Sequence, residues 1–60
     1  MSNKFTVYVL KTTDNKLASF QCATVVEADS LATNLRYSCR DRSKYLITVC
    51  HEDEGLLGTF

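Results

Sequence analysis

The sequence predicts a small α+β domain, in which a mostly antiparallel sheet carries one amphipathic helix on one face. Three observations predict this class. Two apolar, β-branched segments flank a turn-forming pair, an amphipathic helical segment follows them, and a third strand-like segment comes after the helix. Because the 60 residues include no proline and only two glycines, we expect no linker and a single domain over residues 1–60.

The first two strands are expected to form a hairpin. The segments FTVYVLK, residues 5–11, and LASFQCATVV, residues 17–26, are rich in residues that favour strands. Asp14 and Asn15, between them, both tolerate positive φ and suit a two-residue turn.

This turn predicts a register for the hairpin. The opposed pairs would be Thr13 with Lys16, Val9 with Phe20, Val7 with Cys22, and Phe5 with Thr24. One face of the hairpin is then clearly apolar, and it carries Phe5, Val7, Val9, Phe20, Cys22 and Val26. Turn chemistry and side-chain alternation therefore agree on which face meets the core.

The segment EADSLATNLRYSCRDR, residues 27–42, predicts the helix. Asp29 suits the N-cap position, and Glu27 adds negative charge where the helix dipole favours it. At about 100° per residue the apolar side chains fall within a narrow arc, which contains Ala28, Leu31, Ala32, Leu35 and Cys39. The opposite arc is expected to face solvent, and it contains Thr33, Asn34, Arg36, Tyr37, Arg40 and Asp41.

The segment KYLITVC, residues 44–50, predicts a third strand with Tyr45, Ile47 and Val49 on one face. The last ten residues contain a turn signal at Asp53-Glu54-Gly55, and residues 51–60 are expected to form either a short fourth strand or a flexible tail. Strand one lies between strands two and three, so the predicted order is 2-1-3, with any fourth strand beside strand three.

The three cysteines, Cys22, Cys39 and Cys50, do not form a disulfide framework or a paired metal-ligand spacing. Cys22 and Cys39 lie on the predicted core faces, where a free thiol packs like a small hydrophobe. The sequence therefore predicts no metal and no cofactor. With no signal-like or membrane-length apolar stretch, we expect a cytoplasmic protein that does not contact the membrane.

Catalysis is also not expected. The one histidine, His51, is adjacent to Cys50, and neighbouring residues of a strand point to opposite faces. Neither a G-x-S-x-G elbow nor a P-loop is present, and a chain this short rarely encloses a pocket of several hundred Å3. The sequence thus predicts a binding protein and not an enzyme.

Charge is balanced overall, with seven basic and seven acidic residues, but it is unevenly placed along the chain. A basic cluster on the helix and the loop after it is followed by an acidic run. The predicted partner-binding residues are Arg36, Tyr37, Arg40, Arg42, Lys44, Glu52, Asp53 and Glu54. The basic cluster has two other readings, a solvated helix end or a surface for RNA or single-stranded DNA, although a dedicated nucleic-acid binder usually has excess positive charge.

The sheet face away from the helix is a second predicted surface. It carries Tyr8, Leu10 and Leu17, and the tail adds Leu56, Leu57 and Phe60. Either the tail covers this face, as a strand or as a lid, or the face is a dimer or partner interface.

The pattern FQCATVVEADSLATNLRYSC…KYLITV, over residues 20–49, resembles small bacteriophage proteins that take over host functions. Phage inhibitors of bacterial RNA polymerase and small anti-CRISPR proteins of type I systems share this layout of strand, V-x-A-x-S-L helix entry and closing strand. The resemblance implies a compact, non-enzymatic inhibitor that covers a functional surface of a larger bacterial protein or complex in the host cytoplasm. The alternatives are a nucleic-acid-binding regulator that uses the basic helix face, and a structural homodimer.

Overall fold

A computed structural model of the chain describes residues 3–60. It contains four strands and one helix, namely β1 (Phe5–Lys11), β2 (Lys16–Cys22), α1 (Val25–Ser38), β3 (Tyr45–His51) and β4 (Gly55–Thr59). Neighbouring strands pair antiparallel, and their order across the sheet is β2-β1-β3-β4. The predicted α+β class and strand order are confirmed, and the fourth strand lies beside the third.

The β1–β2 hairpin has a register that differs from the predicted one. Val7 pairs with Phe20 and Phe5 pairs with Cys22, so the partners are displaced by two residues. Residues 12–15 form a four-residue loop in place of a two-residue turn. A shift of two residues preserves the alternation of a strand, so the predicted faces of the hairpin remain the same.

The β1–β2 loop is connected to the loop before β3. The Thr12 N–H donates to the Lys44 carbonyl (2.8 Å), and the Thr12 hydroxyl donates to the Ser43 carbonyl (2.7 Å). The Thr12 N–H therefore continues the β1–β3 ladder, and its hydroxyl connects the end of β1 to the loop before β3. At the end of the loop Asn15 has a φ of 53°, a left-handed conformation that asparagine tolerates better than most residues.

The helix begins earlier than predicted, and Thr24, not Asp29, is its N-cap. The Thr24 hydroxyl accepts a hydrogen bond from the Glu27 N–H (3.2 Å), and the Glu27 carboxylate accepts one from the Ala23 N–H (3.1 Å). The arrangement is a variant of the capping box, because the glutamate accepts from the N–H of Ala23, the residue before the N-cap, and not from that of the N-cap itself. Asp29 lies a turn further on, where the backbone N–H groups already have helical partners.

Both ends of the helix therefore differ from the predicted ones. Val26, which the predicted second strand placed on the core face, lies in the first turn of α1 and is 70% exposed. At the other end the helix stops at Ser38 and not near residue 42, because Cys39 leaves the helical conformation (φ −117°, ψ 71°) after its N–H donates to the Leu35 carbonyl (2.7 Å).

The core lies between the helix and one face of the sheet, as the alternation predicts. Its buried residues are Val7, Val9, Cys22, Ala28, Ala32, Ile47 and Val49, with Phe5, Leu31, Leu35, Tyr45 and Phe60 packed partly against them. The two fully buried helix residues are alanines, and their small side chains allow the helix backbone to approach the sheet closely.

Candidate functional site

The loop between α1 and β3 forms hydrogen bonds to its own acidic residue, Asp41. The Ser43 N–H and hydroxyl both donate to the Asp41 carboxylate (3.0 and 2.6 Å). The N–H groups of Lys44 and Tyr45 donate to the Asp41 carbonyl (3.1 and 3.0 Å). The two bonds from Ser43 hold the pKa of Asp41 below its ordinary value, with a further contribution from the charge of Lys44. The Asp41 carboxylate therefore accepts its hydrogen bonds from within its own loop.

The β1–β2 loop lies at the same end of the molecule, because Thr12 bonds to Ser43 and Lys44. Six basic residues therefore gather at the end of the sheet where β1 finishes and β3 starts. We call this region the basic end, and its basic residues are Lys11, Lys16, Arg36, Arg40, Arg42 and Lys44. Its acidic residues are Asp14 and Asp41, so six positive charges stand against two negative ones.

The opposite end of the molecule has the reverse balance. We call it the acidic end, and it contains the first half of α1, the β3–β4 turn and the start of β1. Its charged residues are Glu27, Asp29, Glu52, Asp53, Glu54 and Lys4. A domain with no net charge thus has a formal charge of about +4 at one end and −4 at the other.

This separation divides the predicted partner-binding residues into two groups. The basic group precedes β3 and the acidic run follows it, and a seven-residue strand is about 20 Å long. At the acidic end, the Lys4 Nζ lies 4.0 Å from the Asp53 Oδ2. The His51 Nδ1 accepts hydrogen bonds from the N–H groups of Asp53 and Glu54 (3.1 and 3.2 Å), which order the turn. The two groups therefore lie at opposite ends of β3, about 20 Å apart.

Arg36 is not on the solvent face, contrary to the prediction from the helical arc. Its side chain is half-buried, and its guanidinium donates to the main-chain oxygens of Cys39 (2.9 Å), Tyr45 (3.3 Å) and Phe60. It therefore joins the end of α1 to the start of β3 and the end of β4. The helical pattern could not reveal this role, because the oxygens that recruit Arg36 belong to other elements.

Two shallow grooves surround this arginine, and both are lined by Arg36, Arg42 and Phe60. The first, of about 340 Å3, opens toward β3 and the end of β4, where Leu46 and Thr59 also line it. The second, of about 290 Å3, is completed by Thr33 and Tyr37. Sequence reasoning identified Tyr37 and Arg42 but did not predict Phe60 as a groove wall, because only the β4 pairing brings it there.

The free basic side chains lie around these grooves. Tyr37 is 68% exposed, and Arg40, Arg42 and Lys44 are exposed as well. Among residues 3–60, none of these three cations forms an ion pair with a carboxylate. Arg40 instead donates through Nε to the Tyr37 carbonyl (3.3 Å), which holds it beside the tyrosine. Several unpaired cations therefore surround a groove that is aromatic and partly apolar, and this combination suits an anionic partner.

The second predicted surface is the sheet face away from the helix, and the tail does not cover it. Residues 55–59 extend the sheet beside β3 as β4, and Phe60 packs on the core. Leu17, Leu10 and Leu46 are paired directly across three strands and form an apolar row on the open face. Leu46 was not predicted, although it alternates with Tyr45 and Ile47. Tyr8 lies in the next row of this face.

Cys22 and His51, two side chains with reactive atoms, each have close structural neighbours. Across residues 3–60 no three His, Cys, Asp or Glu side chains come together as a metal site. Cys22 is buried, and both its burial and the nearby Glu27 carboxylate raise the pKa of its thiol, which disfavours the reactive thiolate. His51 packs edge-on against Phe5 with ring centroids 4.8 Å apart. These groups have structural neighbours that account for them.

No protein-family model matches the chain, and comparison with curated proteins and with solved structures finds no significant similarity. In the part of the chain that the structure describes, no helix combines the length and the apolar character required to cross a bilayer.

Proposed function

We propose that this chain is a non-enzymatic protein-binding domain that inhibits or modulates a larger bacterial machine. The observation that carries the proposal is the pair of grooves at the basic end, where Tyr37, Arg42 and Phe60 line a surface with unpaired positive charge. Tyrosine and arginine are the residue types most enriched at the energetic centres of protein interfaces. A partner segment with acidic residues beside an apolar side chain fits this combination.

The resemblance of residues 20–49 to phage host-takeover proteins supports a bacterial target. On this proposal the chain is encoded by a phage or prophage, and it covers a functional surface of a defence complex or of RNA polymerase. Rigidity favours such a role, because a preformed surface loses little conformational entropy when it docks. The bonds from Arg36 to three separate elements, which hold the groove walls in place, supply this rigidity.

The test is affinity purification of the tagged protein from bacterial lysate with nuclease present, followed by mass spectrometry of the bound proteins. Once a stoichiometric partner is identified, Tyr37→Ala and Arg42→Glu should each weaken its binding at least roughly tenfold. Lys4→Glu is the matched control, because it makes the same charge change at the opposite end of the domain. If both groove variants bind as well as the wild type, the site assignment is wrong.

A nucleic-acid-binding regulator is the second proposal, and the six basic residues of the basic end are the observation that favours it. Exposed Tyr37 offers a ring on which an unpaired base could stack. The two proposals differ in their salt dependence. Affinity for a nucleic acid should fall log-linearly with salt concentration, with a slope set by the number of phosphates contacted, and recovery from lysate should vanish with nuclease.

A further inference from the structure

The outer edge of β2 has main-chain N–H and C=O groups that do not pair within the sheet. The hydrogen bonds between β1 and β3 show which residues of β2 carry them. The Thr12 N–H donates to the Lys44 carbonyl and the Glu52 N–H donates to the Lys4 carbonyl, so even-numbered residues of β1 bond to β3. Since bonding alternates along an antiparallel strand, odd-numbered residues of β1 bond to β2. Leu17, Ser19 and Gln21 of β2 therefore direct their N–H and C=O groups away from the sheet.

This edge lacks the features that usually prevent strands from pairing with other chains. β2 has seven residues in a continuous register, with no proline, no bulge and no charged residue after Lys16. Six of its seven residues are exposed. The other edge strand differs, since β4 has five residues, two of them glycines, and its pairing with β3 shifts between Val49 and Cys50. The two edges of the sheet are thus unequal.

We propose that a second copy of this chain pairs with β2 through its own β2, to form a two-fold symmetric dimer with a continuous eight-stranded sheet. The separation of charge selects this occupant. Antiparallel pairing of two β2 strands makes the long axes of the copies antiparallel, so the basic end of each copy lies beside the acidic end of the other. The charges of opposite sign closest to the interface are Lys16 of one copy and Glu27 of the other, and the two-fold axis brings this pair together twice in one dimer.

The register that makes most use of the edge is centred on Ser19. Ser19 then pairs with Ser19 of the second copy, and Leu17 pairs with Gln21 on each side, for about six hydrogen bonds between the chains. On the helix side of the sheet, Phe20 lies opposite the small Ala18 of the second copy. This arrangement gives the partly exposed Phe20 ring room to pack against the second chain.

The same register forms an ion pair at each end of the interface. Lys16 lies opposite Cys22 of the second copy, on the helix side of the sheet. The Glu27 carboxylate of that copy is held beside the end of its β2 by the bond from Ala23 N–H, within reach of the lysine. The dimer edge is separate from the grooves beside β4, so this proposal does not depend on the proposed function.

Ser19→Pro tests the dimer without removing a hydrogen bond of the monomer, because the Ser19 N–H faces away from β1. Proline at this position removes the central pair of interchain bonds and obstructs the approach of the second strand. The wild type should sediment as a dimer, and the variant should show a dissociation constant roughly a hundredfold higher. Ser19→Ala keeps the N–H and should remain dimeric.

The ion pair between Lys16 and Glu27 of the second copy is tested separately. Lys16→Glu places a carboxylate against Glu27 of the second copy and should raise the dissociation constant roughly tenfold. Adding Glu27→Gln, which keeps an acceptor for the Ala23 N–H, should recover most of that loss. A dimer indifferent to Lys16→Glu would contradict the antiparallel register.

Hydrogen exchange on the wild type decides the matter even if the proline variant fails to fold. The amides of Leu17, Ser19 and Gln21 should be protected at high protein concentration and exchange quickly on dilution. A wild type that is monomeric at millimolar concentration, or a dimer in which these three amides exchange freely, would overturn the proposal.

Discussion

Arg36 shows how one side chain can change its role once its neighbours are known. On a helical wheel it belongs to the polar arc with Tyr37 and Arg40. In the fold it bonds to main-chain oxygens of Cys39, Tyr45 and Phe60, while its Nε is buried without a hydrogen-bond partner. The guanidinium therefore donates to three main-chain oxygens that would otherwise need water or another donor.

Arg36→Ala should lower the free energy of unfolding by about 2–4 kcal/mol, because hydrogen bonds to a charged donor are strong and their acceptors are left unsatisfied. Urea unfolding followed by circular dichroism measures the change. Arg42→Ala removes an exposed arginine from the same end and should change stability by less than about 0.5 kcal/mol. Equal effects of the two substitutions would show that the three bonds do not stabilise the fold.

Asp41 supplies a prediction about pH. Because its folded-state pKa is lowered, it contributes stability above its unfolded-state pKa, and this contribution is lost as the pH falls through the folded-state pKa. Ser43→Ala removes the hydroxyl bond, so the pKa of Asp41 should rise toward that of a free aspartate. The difference in stability between the wild type and this variant should shrink below about pH 4.

Carboxyl titration by nuclear magnetic resonance, together with unfolding across the same pH range, checks both statements. Ser30→Ala, on an exposed part of the helix, should leave the pKa of Asp41 unchanged. A titration of Asp41 that is identical in the wild type and in Ser43→Ala would show that the serine hydroxyl does not stabilise the carboxylate.

At the scale of the elements, the start of α1 depends on a competition between two capping residues. Thr24-Val25-Val26-Glu27 has the spacing of a capping-box sequence, but its two valines extend the apolar pattern of β2 and so favour a later start of the helix. Thr24→Ala should cost about 1 kcal/mol of unfolding free energy, whereas Asp29→Ala should cost less than about 0.5 kcal/mol. Chemical denaturation distinguishes the two, and the reverse ranking would restore Asp29 as the cap.

The β1–β2 hairpin illustrates a different limit at the same scale. Local turn preference correctly marks the Asp14-Asn15 region, and Asn15 does adopt a positive φ. The loop, however, has four residues instead of two, and Thr12 within it bonds to Ser43 and Lys44, about thirty residues away. The local pattern predicts only which alternate residues of each strand face the core, and a shift of two residues leaves that choice unchanged.

For the whole molecule, the small core is the main constraint. The fully buried side chains of greatest volume are Ile47, Val7 and Val49, and a domain of this size is stable by only about 3–9 kcal/mol. Ile47→Ala should cost about 2–5 kcal/mol and leave a large unfolded population at 25 °C. Ile47→Val, as the conservative control, should cost about 0.5–1.5 kcal/mol and remain folded, as thermal melts followed by circular dichroism would show.

Charge is also organised at this scale. Along the sequence the basic and acidic runs are close, with only seven residues between Lys44 and Glu52, and they look like parts of one surface. In the fold those seven residues form a single extended strand, which carries the two runs to opposite ends of the domain. The proposed partner site uses one end, and the proposed dimer uses the opposition of both.

The sequence by itself determined the order of the elements, the strand order of the sheet and the faces that form the core. These features follow from side-chain alternation and helical periodicity, which are local and repeat over many residues. The start of α1 at Thr24 is encoded locally as well, in the segment from Thr24 to Glu27. Only the tertiary structure decided the hairpin register, the role of Arg36 and the separation of the charged ends. Each of these depends on a few hydrogen bonds or pairings between distant segments, and no local pattern encodes which distant carbonyl a side chain or an amide will meet.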